Sequence, residues 1–75
     1  MNDLDRILNA PDLTHDEEIF YYTRVSFIVE DLTFYWNHLS QIAKYANSPV
    51  GLVHSVIKKM IDDGRLEIVD GVIQK

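Results

Sequence analysis

Residues 39–73 constrain the fold most, because they hold two segments with helical spacing, a turn between them and a hairpin signal. The first segment, residues 39–46, places Leu39, Ile42 and either Tyr45 or Ala46 on one side of a helix. The second segment repeats apolar residues at i, i+3, i+4, i+7 and i+8, which are Val53, Val56, Ile57, Met60 and Ile61. We therefore predict two short helices that each bury one face and are joined by a tight turn.

The boundaries of these elements are also visible in the sequence. Ser48 is expected to cap the second helix and Pro49 to be its first residue, where a missing amide proton costs nothing. Gly64 is expected to end that helix in a left-handed conformation. Asp70-Gly71 then lies between two segments of strand-forming residues, which predicts a β-hairpin with a two-residue type I′ turn.

A capping box marks the start of a longer helix in the first half of the chain. Thr14 and Glu17 have the spacing at which each side chain accepts a hydrogen bond from the other residue's amide. At helical spacing, one apolar face of the following segment contains Tyr21, Tyr22, Val25, Ile28, Val29 and Leu32. The aromatic and β-branched residues of this segment favour a strand, but the capping box and the length favour a helix.

Phe20 and Phe27 lie off that apolar face and on one common side, because seven residues make nearly two helical turns. Two interpretations stay open: other parts of the chain cover them, or they form an exposed interface. Further along, Phe34-Tyr35-Trp36 is expected to be a short strand that pairs with the hairpin, and Asn37 to cap the next helix. Asp3 to Leu8 is compatible with a short helical turn, but Pro11 disfavours its continuation, so residues 1–13 are expected to be a flexible N-terminal segment.

The small residue Ala43 within residues 39–46, the Ser48-Pro49 turn and the terminal hairpin resemble the winged helix-turn-helix superfamily of small bacterial and phage regulators. The resemblance implies a mostly α fold: a long first helix, a short strand, two helices over residues 39–63, and a two-stranded wing over residues 65–75. It also implies that the second helix of the pair enters the major groove of DNA. The superfamily contains modules that bind only protein as well, so the fold does not decide the activity.

A DNA-binding transcription regulator would use the outer side of the helix pair and the start of the wing. Alternatives stay open for several of these residues: the two lysines could complement the helix dipole, Arg65 could pair with Glu67 or Asp63, and the polar side chains of the second helix could be solvated surface. The same helix offers no arginine, asparagine or glutamine for bidentate base contacts. The candidate contacts are Lys44, Ser48, Gly51, His54, Ser55, Lys58, Lys59 and Arg65.

Charge divides the chain into two halves and favours a second hypothesis. The net charge is −5, with eight acidic and two basic residues in positions 1–37 but four acidic and five basic residues in positions 38–75. A DNA regulator of this size would need to act as a homodimer, through Phe20 and Phe27. The alternative is an acidic interaction module, such as a phage-type inhibitor or adaptor, that docks on a basic protein through Phe20, Phe27, Asp16, Glu17 and Glu18.

Length and composition argue against other classes. The 75 residues allow one domain, residues 1–75, with little room for a substrate pocket. There is no cysteine, and His15, His38 and His54 lack the spacing of a metal site, so we expect no enzymatic activity, metal or cofactor. No apolar run reaches the roughly 20 residues that span a membrane, and no signal peptide is visible, which predicts a soluble cytoplasmic protein with no membrane partner.

Overall fold

The computed structural model describes residues 3–31 and 38–74, which are mostly helical with one two-stranded antiparallel sheet. The helices and strands, in chain order, are α1 (Asp3–Leu8), α2 (His15–Glu17), a π-helical turn (Glu18–Tyr22), α3 (Thr23–Asp31), α4 (Leu39–Ala46), α5 (Val50–Asp62), β1 (Glu67–Val69) and β2 (Val72–Gln74). The prediction of a helix-rich fold with a small β-hairpin is confirmed.

The helix predicted after the capping box is present, and it contains an irregularity. The amide of Thr14 donates to Glu17 Oε1 at 3.0 Å, and the amide of Glu17 donates to Thr14 Oγ1 at 3.2 Å. The helical backbone then continues through α2, the π turn and α3. Val25 and Val29 are buried as predicted, and this burial against the other helices outweighs the strand preference of the segment. The π turn has no signal in the sequence that we can identify.

The turn between α4 and α5 differs from the prediction by one residue. Asn47 ends α4 in a left-handed conformation, with φ of 52°, and the Ser48 amide donates to the Ala43 carbonyl at 2.9 Å. Pro49, not Ser48, is the N-cap of α5. The prediction was wrong because the Ser48 hydroxyl donates backwards to the Ala46 carbonyl at 3.0 Å and stabilises the turn instead.

The C-terminal hairpin follows the prediction. Gly64 has a φ of 80° and ends α5, while the Arg65 amide donates to the Met60 carbonyl at 2.9 Å. Asp70 and Gly71 both have positive φ, at 52° and 77°, as a type I′ turn requires. The strand register places Glu67 opposite Gln74 and Val69 opposite Val72.

The core lies where α3, α4 and α5 meet, and α1 adds to it. Residues 3–13 of the segment expected to be flexible form α1 and the loop after it, and the side chain of Ile7 is fully buried. Leu32, the predicted strand Phe34-Tyr35-Trp36 and the predicted cap Asn37 lie outside the described residues. The buried apolar cluster consists of Ile7, Val25, Val29, Leu39, Ile42, Ala43, Ala46, Val53, Val56, Ile57, Met60, Leu66 and Ile73. Within the described ranges, no helix is long and apolar enough to cross a membrane.

Candidate functional site

Two polar side chains of α5 that were predicted to face solvent are buried: His54 is 7% exposed and Ser55 is 4% exposed. Lys58 is half-buried, whereas Gly51 and Asp62 on the same predicted side are exposed. Helix α1 packs against α5. The Ser55 hydroxyl donates to the Gly51 carbonyl within the same helix at 3.3 Å. The prediction that His54 and Ser55 lie on an open face was therefore wrong, because tertiary packing buries both side chains.

Both lysines of α5 are engaged within the chain. Lys58 Nζ donates to the Ala10 carbonyl at 2.9 Å and pairs with Asp12 Oδ1 at 3.2 Å. Lys59 Nζ lies 3.5 Å from Glu18 Oε1. The carboxylate of Asp63, and then that of Glu18, raises the pKa of Lys59 above its ordinary value of 10.5. A phosphate contact by either lysine would have to compete with these carboxylates.

Arg65 is also engaged, with partners that the sequence did not indicate. Its guanidinium pairs with Glu30, and Nη1 donates to the Tyr22 hydroxyl at 3.1 Å. The guanidinium carbon lies 5.5 Å from the centroid of the Tyr22 ring. The partner of this ion pair is Glu30, from α3, and not Glu67 or Asp63. Arg65 therefore ties the start of the hairpin to the first long helix.

The remaining predicted DNA contacts lie at the open end of the helix pair. Lys44 is exposed and, within the part of the chain that the structure describes, makes no ion pair. Lys44 and Ser48 line a shallow depression of about 480 Å³ between α4, the turn and the start of α5. Gly51 is exposed beside it, and a Cβ built there would meet no atom within 4 Å. Of the eight predicted contacts, two are thus buried and three are paired within the chain, whereas Lys44, Ser48 and Gly51 are neither.

A different part of the surface exposes large apolar side chains to solvent. Ile19 is 61% exposed, Phe20 is 66% exposed and Phe27 is 64% exposed, and all three belong to the continuous helical segment 15–31. Of the two interpretations of Phe20 and Phe27, the structure supports exposure. We call this surface the Phe20 face and define it by the exposed residues Asp16, Ile19, Phe20, Thr23, Arg24 and Phe27.

The three predicted acidic contacts do not all belong to the Phe20 face. Glu17 is half-buried, and its carboxylate accepts the Thr14 amide in the capping box. Glu18 pairs with Lys59. Asp16 is exposed on the Phe20 face beside the aromatic residues. Of the three predicted acids, Asp16 is therefore the one positioned to contact a partner at this face.

Three residues of the Phe20 face were not predicted from the sequence: Ile19, Thr23 and Arg24. Ile19 is adjacent to Phe20, Thr23 follows it by three residues and Arg24 by four, which is about one helical turn. Helical spacing applied to the exposed side of the helix identifies all three. No family model, no curated protein and no solved structure matches this chain.

Proposed function

We propose that this chain is a winged-helix protein-interaction module whose contact surface is the Phe20 face. The observation that carries the proposal is the exposure of Ile19, Phe20 and Phe27, each above 60%, on one side of one helix. Burying an aromatic side chain of this size is favourable by roughly 25 cal/mol for each Å² removed from water. Contiguous apolar surface on a small domain is typical of a contact site.

The order of elements from α4 onwards supports the winged-helix part of the proposal. Two helices joined by a short turn, then a hairpin with a two-residue turn, are the elements that the resemblance implies. In this chain the second helix of the pair contacts α1, two of its polar side chains, His54 and Ser55, are buried, and its lysines are paired. The same architecture would therefore serve a protein contact on the first long helix.

A photocrosslinking experiment tests the proposed function. A benzophenone amino acid replaces Phe27 in one variant and Tyr45 in a second, because both positions are aromatic and well exposed, at 64% and 75%. We expect crosslinked protein from position 27, identified by mass spectrometry, and little from position 45 on α4. Equal crosslinking at both positions, or none at position 27, would overturn the proposal.

DNA binding is the second candidate, and the depression beside Lys44 and Ser48 favours it. With Lys58, Lys59 and Arg65 paired internally, few cations of residues 3–31 and 38–74 remain to neutralise phosphate, so the affinity should depend only weakly on salt. Fluorescence anisotropy of a duplex at low salt checks this candidate. Binding that Lys44→Glu removes and Lys59→Glu preserves would support it, and no binding at low salt would exclude it.

A further inference from the structure

The charges of the Phe20 face are arranged symmetrically about Phe20. Asp16 lies four residues before Phe20, Arg24 lies four residues after it, and all three side chains are exposed. Arg24 makes no ion pair within the part of the chain that the structure describes. The centre of this surface is thus apolar, with one negative end and one positive end.

The π turn improves the alignment of these residues. Four residues of regular α-helix rotate by about 400°, which is about 40° more than a full turn. The segment Glu18–Tyr22 is π-helical, with i→i+5 hydrogen bonds and a smaller rotation per residue. Asp16, Phe20 and Arg24 therefore lie close to one line along the helix, roughly 6 Å apart in successive steps.

We propose that the partner of the Phe20 face is a second copy of this chain, bound antiparallel about a two-fold axis at Phe20. This inference rests on the proposed function and names the partner of the same surface. In a two-fold interface each contact between two different residues occurs twice, and a residue on the axis contacts its own copy. An antiparallel pair centred on Phe20 brings Asp16 of each copy opposite Arg24 of the other, and Phe20 against Phe20.

The local charge favours a second copy over a basic protein. The chain as a whole carries −5, but the Phe20 face carries one acid and one base. A basic partner would meet Arg24 directly beside Phe20, whereas a second copy satisfies both charges. One helix pair buries little area, so the dimer is expected to be weak and to form in the micromolar range or above.

Sedimentation equilibrium on the purified full chain tests the proposal, from about 1 µM to about 1 mM, a range that includes weak association. We expect a monomer–dimer equilibrium. Asp16→Arg and Arg24→Asp should each weaken it by about tenfold, because each reversal creates two like-charge contacts. The double variant, Asp16→Arg with Arg24→Asp, should restore the original association, because the charges are exchanged and their complementarity is kept.

Matched reversals control for net charge. Glu67→Arg and Lys44→Asp change exposed residues outside the Phe20 face by the same charge, and they should leave the association unchanged. Circular dichroism confirms that each variant is folded. The inference is overturned if the chain is monomeric throughout the concentration range. It is also overturned if neither charge reversal weakens the dimer, or if the double variant does not restore the association. If the chain does not dimerise but position 27 crosslinks to a different protein, the proposed function is retained and only the proposal that the partner is a second copy is rejected.

Discussion

The polar side chains His54 and Ser55 of α5 and the Phe20 face differ in exposure in a way that helical spacing does not predict. On α5, which packs against α1, the polar side chains His54 and Ser55 are buried, at 7% and 4% exposure. On the segment 15–31 the large apolar residues Phe20 and Phe27 are left in solvent. The comparison teaches that helical spacing identifies which residues share a side, whereas packing by a distant segment decides which side is covered.

The largest expected effect on the free energy of unfolding comes from weakening the packing of α1 on the core. Ile7 is fully buried, and Ile7→Ala should lower the free energy of unfolding by roughly 2–5 kcal/mol, which is a large part of the stability of so small a domain. The neighbouring Leu8 is 52% exposed, and Leu8→Ala should change it by less than about 0.5 kcal/mol. Urea unfolding measures both. Equal effects would show that α1 does not pack on the core as described.

A second comparison contrasts the two sides of the first long helix. Val25→Ala removes two buried methyl groups and should cost about 2 kcal/mol of unfolding free energy. Phe27→Ala removes a far larger side chain, yet it should change the stability of the monomer by less than about 0.5 kcal/mol, because Phe27 is exposed. Thermal unfolding at low protein concentration checks the pair. A larger loss for Phe27→Ala would mean that the chain itself covers the Phe20 face.

A smaller effect is expected at the contact that joins the N-terminal loop to α5. Lys58→Met keeps an unbranched side chain without the terminal ammonium group and loses the hydrogen bond to Ala10 and the pair with Asp12, at a cost of about 1 kcal/mol. Hydrogen exchange of the α1 amides should accelerate in this variant. Lys44→Met, at an exposed lysine on α4, serves as the control and should leave α1 exchange unchanged. Unchanged exchange in Lys58→Met would contradict a role for this contact in holding α1 and the loop after it against α5.

The smallest effect concerns pH. Asp63 and then Glu18 raise the pKa of Lys59 above 10.5 in the folded chain. A raised pKa stabilises the fold fully below the unfolded pKa, and this contribution is lost as pH rises through the folded pKa. The wild-type chain should therefore lose stability above pH 10.5 more steeply than Lys59→Met, as measured by urea unfolding at successive pH values. Parallel curves for both proteins would show that these carboxylates do not stabilise the charged lysine.

Local chemistry made much of this fold predictable. The capping box at Thr14 and Glu17 and the two positive φ values at Asp70-Gly71 depend on residues a few positions apart, and both were predicted. The start of α5 was displaced by one residue because the Ser48 hydroxyl, expected to accept a helix amide as a cap, donates to the Ala46 carbonyl instead. Such competition is settled by small energy differences that spacing alone does not reveal.

The long-range contacts were not predictable in the same way. Lys58 reaches the Ala10 carbonyl across 48 positions, and Arg65 reaches the Tyr22 hydroxyl across 43. Lysine and arginine at these positions are equally compatible with solvent, phosphate or an acidic side chain until the tertiary neighbours are known. For that reason the internal partners of Lys58, Lys59 and Arg65 were not predicted, whereas exposure of Phe20 and Phe27 was one of the two alternatives that the sequence left open.

Thiol accessibility tests the contrast between the two surfaces most directly. The chain has no cysteine, so Ser55→Cys and Phe27→Cys each introduce a single reporter. Labelling with a disulfide reagent at low protein concentration should be fast at position 27. It should be about a hundredfold or more slower at position 55, where opening of the fold must come first. Comparable fast labelling at both positions would contradict the account, because position 55 on α5 would then be open to solvent and available to DNA.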